Sequence, residues 1–269
     1  MLAEDRARAI VELVRRDGFQ AIDALALQFG VTPQTIRRDV NLLCDRGLLR
    51  RRHGGVELPP EGENLAYPAR QVLNIDAKRR IAQLVAREVP EGASLFFGIG
   101  TTPEQCALAL ADHSGLRVMT NNLNVALAFS RNASCEITVA GGRLRTLDRD
   151  VVAGDAHGFF SRFAVDIGIY GVGGVAEDGT LLDFSTDEVA MRSELARHCR
   201  QRFLVLDHSK FRRGATVRGG HIAEANVVFT DRPVPAAIAD QLRDAGVRLV
   251  SWSDDIASTA TPSQTRRRG

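Results

Sequence analysis

The chain has 269 residues, 44% hydrophobic and 25% charged, with a formal net charge of +2 and a mean hydropathy of −0.11. This composition is ordinary for a globular protein of one large or two modest domains and excludes a mostly disordered chain. Charges interrupt every long apolar stretch, so no run approaches the ~18–20 residues of a membrane span, and the opening MLAEDRARAI lacks the apolar block of a secretory signal.

The pattern over residues 4–17 predicts a helix, with Ile10, Leu13 and Val14 on one face and Gly18 at its end. A second helix fits Ile22 to Phe29, with Leu25, Ala26 and Phe29 inward. After Gly30, Thr32 is a good N-cap and Pro33 suits the first helical position, where its missing N–H costs nothing. Ile36, Val40 and Leu43 then line one face of a third helix, which Gly47 stops. The arginine-rich stretch to Val56, with its His53-Gly54-Gly55 turn, reads as a two-stranded wing. From Val31 to Val56 six arginines stand against two acids, a basic patch on an otherwise balanced chain.

This order of cap, turn, helix and wing is a winged helix-turn-helix. Polar groups near the start of the third helix reach base edges in a major groove, and arginines meet phosphates. The residues expected at DNA are Thr32, Gln34, Thr35, Arg37 and Arg38, with Arg50, Arg51, Arg52 and His53 of the wing. A plain helical bundle with a solvated basic face is the competing reading. The domain is expected to span residues 1–56, followed by a proline-containing linker over 57–74.

From 75 to 252 the pattern predicts an α/β domain. A helix fits Asp76 to Glu88, and seven apolar runs (SLFFG, LRVMT, EITVA, VDIGIYG, RFLVL, NVVFT and VRLV) read as buried strands. Helical segments at Pro103–Leu110, Asn122–Ser130, Thr186–Arg197 and Pro235–Ala245 alternate with them, which argues for a mainly parallel sheet. Ligands of such sheets bind beyond the strand carboxyl ends. Those ends carry Gly100-Thr101-Thr102, Thr120-Asn121-Asn122, Gly141-Gly142, Gly173 with Asp183, and Asp207 with Lys210. One shared polar pocket explains five such turns better than five unrelated loops. Lys210, one of only two lysines, suits a phosphate; a solvated surface lysine is the alternative. The polar end, 253–269, reads as a disordered basic tail.

The run VTPQTIRRDVNLLCDRGLLRRRHGGVELP resembles the signature of the DeoR family of bacterial transcriptional regulators. GIGTTPEQ, TNNLNVA, AGGRLR, GVGGVAEDGTLLDFSTDEV and DHSKF resemble its sensor domain, in order, so the resemblance spans roughly residues 4–250. It implies a sensor related in fold to ribose-5-phosphate and glucosamine-6-phosphate isomerases, and a DNA-binding repressor controlled by a phosphorylated sugar or polyol. IGTTPE, TNNLNVA, LLDF and DHSKF are most similar to a subgroup concerned with glycerol metabolism, which implies sn-glycerol 3-phosphate as effector. Two positions depart from the family pattern: Gly98 stands where many members have an acid, and Arg192 where a lysine is usual.

An isomerase-like fold also admits an enzyme, with Asp183, Asp187 or Glu188 as base, and a third reading makes the second domain an oligomerisation module only. His157, His198 and His221 have no catalytic spacing and read as structural or surface groups, and no HExxH, Walker A or GxSxG motif appears. The expectation is therefore a non-enzyme without cofactor or metal, acting on operator DNA and a phosphorylated metabolite. A homo-oligomer and a reduced, cytoplasmic setting are expected too, the latter from Cys44, Cys106, Cys135 and Cys199, which form no CxxC pair.

Overall fold

The structure, a computed structural model, describes residues 3–45, 47–58, 65–146, 148–152 and 158–252. The expected tail over 253–269 and His157 lie outside the described residues. The chain divides into two compact units, 1–74 and 75–269.

The first unit holds α1 (Ala3–Asp17), β1 (Gln20–Ala21), α2 (Ile22–Phe29), α3 (Pro33–Asp45), β2 (Arg50–Arg52), β3 (Gly55–Glu57) and α4 (Tyr67–Val72). Ile10, Val14, Leu25, Ile36, Val40, Leu43 and Val56 make one buried core. All but Val56, which belongs to β3, come from the apolar faces expected of α1 to α3, of which Phe29 is only half-buried. Thr32 Oγ1 accepts the Thr35 N–H at 3.2 Å, capping α3, with Pro33 in the first turn. Gly30 ends α2 in the left-handed region (φ 62°), making the turn into α3.

Two features of this unit differ from the expectation. The wing has a third strand: β1 pairs with β3 through Ala21 opposite Gly55. A side chain at Gly55 would meet the Gln20 carbonyl and the Phe19 ring, so the second glycine of the His-Gly-Gly turn admits that strand. Also, the segment read as linker contains α4, whose Ala69 is buried in the first unit's core beside Leu65 and Leu73. Three prolines in the segment and no sustained period hid this six-residue helix, which is secured by packing rather than propensity.

The second unit runs α5 (Ile75–Glu88), β4 (Ser94–Phe97), α6 (Thr101–Ala109), β5 (Arg117–Thr120), α7 (Leu123–Phe129), β6 (Glu136–Val139), β7 (Val165–Tyr170), β8 (Gly174–Val175), β9 (Thr180–Asp183), α8 (Thr186–Arg197), β10 (Cys199–Leu206), β11 (Val217–His221), β12 (Val227–Thr230), α9 (Ala236–Asp244) and β13 (Arg248–Ser251). All seven expected strands form one sheet of order β13-β12-β10-β7-β4-β5-β6, with every pairing parallel. Alternate residues face opposite cores. Leu95, Phe97, Phe203 and Val205 pack with α5, α6 and α7, while Phe96, Leu204, Leu206 and Val228 pack with α8 and α9. The sheet is thus covered on both faces. β8, β9 and β11 form a separate antiparallel sheet that the apolar runs did not announce.

From β4 the chain steps one way to β5 and β6, and the other way to β7 and β10. The carboxyl ends of β4 and β7 therefore flank a topological switch point, where open α/β sheets leave a crevice.

Candidate functional site

In the first unit, Gln34, Arg37, Arg38 and His53 are exposed, and so are the three wing arginines; Thr32 is exposed and Thr35 half-buried. The two threonine hydroxyls lie 3.0 Å apart within the cap, so they order the start of α3. Asp39, next to the arginine pair, serves the fold: its carboxylate accepts two hydrogen bonds from Arg6 of α1, at 2.6 and 3.3 Å. The wing arginines are engaged locally. Arg50 and Arg52 both bind Glu57, at 2.6 and 2.7 Å, and Arg51 donates to Asn41 of α3. These two arginines hold the Glu57 carboxyl below the usual carboxylate range. The exposed face of α3 and the wing together present cations spaced along one helix and one ribbon.

In the second unit a cavity lies at the switch point. Gly98, Ile99, Tyr170 and Gly171 line it from the strand ends, Asn121 from the end of β5, and Asp183, Glu188 and Arg192 from β9 and α8. Its volume is about 20 Å³, space for one or two waters. Asp183 and Arg192 form a buried ion pair at 3.0 Å. Asp183 Oδ1 accepts the Gly173 N–H at 2.9 Å, and Arg192 also donates to the Gly219 carbonyl of β11. Burial pushes the Asp183 carboxyl up, against the Arg192 guanidinium and the Gly173 N–H. Burial likewise raises the Tyr170 phenol, which stays neutral. Asn121 donates from Nδ2 to the Val151 carbonyl at 2.8 Å, while its buried Oδ1 has no partner among the described residues. An unsatisfied buried acceptor is costly and marks where a ligand hydroxyl would be welcome.

The expected ligand residues divide into groups. Asn121 and Asp183 meet at the cavity, and Gly173 reaches it through Asp183. Thr120 and Asn122 have structural work nearby: the Thr120 hydroxyl donates to the Phe97 carbonyl, and the Asn122 side chain caps α7 through the Asn124 N–H. Gly100 leads into buried Thr101 and Thr102 at the start of α6, outside the cavity lining. Gly141 and Gly142 are exposed, and they are not in that lining. Asp207 and Lys210 belong to another cluster after β10. Asp207 accepts the Ser209 N–H at 2.9 Å, and Asp231 holds His208 by its backbone and ring, each at 2.8 Å. Burial alone would raise the Asp207 carboxyl, but the charges of Lys210 and Lys78 and the Ser209 bonds bring it below its ordinary value.

Three participants were not expected. Lys78 is buried on α5, so the chain's two lysines both act on Asp207; a lysine on an amphipathic helix gives no local sign of this. Arg145, outside the lining, pairs at 3.0 Å with Glu188, which lines the cavity. Glu188 was considered as a base only, and the 43-residue separation of the pair conceals their contact.

Against known proteins, residues 6–61 match the DeoR-like helix-turn-helix domain and residues 73–232 the DeoR C terminal sensor domain. The chain belongs to the DeoR family. It is 41% identical over 249 residues to the glycerol-3-phosphate regulon repressor of Escherichia coli (strain K12), covering 93% of this chain and 99% of that protein. It is 42% identical to the protein of the same name from Haemophilus influenzae, over 91% of this chain and 95% of that one. Among solved structures, ribose 5 phosphate isomerase A from Neisseria gonorrhoeae aligns at 15% identity, covering 51% of this chain and 53% of that chain, with a TM-score of 0.36.

Proposed function

We propose that this protein is a DNA-binding transcriptional repressor of glycerol metabolism, whose operator affinity is controlled by sn-glycerol 3-phosphate. The observation that carries the reading is the joining of a helix-turn-helix with an exposed arginine face to an α/β unit with a polar switch-point cavity. The relatives at 41% and 42% identity, named for a glycerol-3-phosphate regulon, support the particular effector.

Gln34, Arg37 and Arg38 enter the major groove, Thr32 and Thr35 set the helix start, and Arg50, Arg51, Arg52 and His53 contact backbone phosphates. The polyol hydroxyls face Asn121, Asp183 and Arg192. The phosphate is held by backbone N–H groups and hydroxyls around Gly100, Thr101 and Thr102, with Lys210, kept in place by Asp207, as the cation. Thr120, Asn122, Gly141, Gly142 and Gly173 shape the turns around this ligand. The protein works as a binding switch, not an enzyme. In support, each oxygen of Asp183 accepts a hydrogen bond, and so does each oxygen of Glu188 while its bond to Arg145 holds, an arrangement that suits fold-holding and binding carboxylates. It acts in the cytoplasm as a homo-oligomer, which reads repeated half-sites, and effector shifts it to a state of low operator affinity.

The test is calorimetric titration with sn-glycerol 3-phosphate, a hexose phosphate, a pentose phosphate and inorganic phosphate, followed by operator binding with and without the ligand. Saturable binding confined to sn-glycerol 3-phosphate, with loss of DNA affinity, is the expected result. Preference for another sugar phosphate refutes the effector. Alanine at Arg37 and Arg38 is expected to lower operator affinity and reduce its log-log salt slope by about two, with effector binding retained.

A further inference from the structure

The switch-point cavity has room for one or two waters and not for the polyol part of the effector, so its walls must part to admit it. One wall is the end of β5 at Asn121, and the described part of the segment after β6 backs it from outside the lining: Val151 N–H donates to the Asn121 carbonyl and Leu123 N–H to the Arg149 carbonyl, each at 2.9 Å. The other wall is the first turn of α8 with Asp183. Among the described residues, one ion pair joins these walls: Arg145 Nη1 donates to Glu188 Oε1 at 3.0 Å.

Resting on the effector reading above, we propose that the Arg145–Glu188 bridge is the latch of the crevice, closed in the free protein and opened for each admission and release of effector. The chemistry favours a reversible latch. Arg145 binds Asp150 through two bonds of 2.7 and 2.8 Å, and Asp150 is 2% exposed, so this side is fixed. The Glu188 side is a single bond. When it breaks, Arg145 keeps Asp150, and Glu188 keeps the Phe184 N–H on its other oxygen. Arg145 thus keeps an ion partner, and Glu188 keeps a hydrogen bond while the parted walls let water reach it, which limits the penalty of unpairing a buried ion. The Arg145 side chain is 32% exposed, so water and salt reach the bond that must break.

The latch is tested by rapid-mixing kinetics of sn-glycerol 3-phosphate binding to the full chain and to Glu188→Gln, Arg145→Lys and the double variant. Lysine keeps a charge for Asp150 but lacks the fork that reaches both carboxylates. Each single variant is expected to raise both the association and the dissociation rate by about fivefold, the scale of one lost hydrogen bond, with a smaller change in Kd. The double variant should add little to either. Arg145 does not line the cavity, so equal acceleration by Arg145→Lys separates a latch from direct contact by Glu188. Unchanged rates, or additive effects in the double variant, overturn the proposal. Hydrogen exchange of the ligand-free chain is the independent arm. Faster exchange in both the 183–192 and the 121–124 segments of Arg145→Lys is expected, and unchanged protection in either refutes the latch. If the wild-type chain does not bind sn-glycerol 3-phosphate, the effector reading fails while the exchange result still decides the latch.

Discussion

Single side chains in this protein repeatedly join elements far apart in the chain. Asp183 is the sharpest case, because it ends β9, accepts the Gly173 N–H and neutralises Arg192 within the α8 wall. Its replacement by alanine leaves Arg192 buried beside a lost partner. Asp183→Ala is expected to destabilise the second unit by about 3 kcal/mol, measured by denaturant unfolding, with effector binding impaired. A loss below about 0.5 kcal/mol would mean that Arg192 finds water or another acceptor when the carboxylate goes. Gly173 is constrained by the same arrangement. A Cβ there would sit 2.9 Å from the Leu182 carbonyl oxygen and from the Phe184 ring, which accounts for a glycine at this strand end. Such coincidences were invisible in the sequence. Gly173 and Asp183 were both legible as strand-end residues, but not that one holds the other.

At the scale of elements, the wing holds its arginines by an internal ion pair network. Glu57 lies opposite Arg50 across the β2–β3 pair and binds Arg50 and Arg52 together. On the proposed DNA contact of the wing, phosphates would share those guanidinium groups with Glu57. Glu57→Gln keeps an acceptor in place and removes the charge. It is expected to raise operator affinity several-fold and to steepen its salt dependence, as read from titrations at several ionic strengths. A fall in affinity would show that Glu57 aims the arginines instead of occupying them. The elements themselves were largely readable. Thr32, Pro33 and the Ile36, Val40, Leu43 stripe announced α3 because capping and helical periodicity are local. α4 and the β8-β9-β11 sheet went unread for the opposite reason. Their residues are short polar or glycine-containing runs that gain order from what they pack against.

At the scale of the molecule, buried charge links α5 to the end of β10. Lys78 and Lys210 both favour ionised Asp207, so its folded carboxyl titrates below the unfolded one. Stability from this group is present above the ordinary aspartate range of about 3.9 and is lost as pH falls through the lower folded value. Asp207→Asn should therefore be less stable than wild type at neutral pH, and the gap should close in unfolding experiments below about pH 4. A gap that widens on acidification would reverse the assigned shift. Asp183, raised by burial, carries the opposite sign, which makes the difference between the two chains the informative quantity.

The two kinds of domain, the helix-turn-helix with its capped third helix, the seven strands of the parallel sheet and the family were all legible in the order of residues alone. These follow from periodicity, caps and motif order, all properties of neighbouring residues. Which strand ends meet was fixed by the winding of the sheet. The order β7-β4-β5 puts Gly98, Asn121 and Gly171 around one cavity and leaves Gly141 and Gly142 exposed outside it. It also joined Arg145 to Glu188, and Lys78 to Asp207. A charge selects its partner by distance and by the water excluded around it, and neither is set until the sheet is wound and both faces are covered.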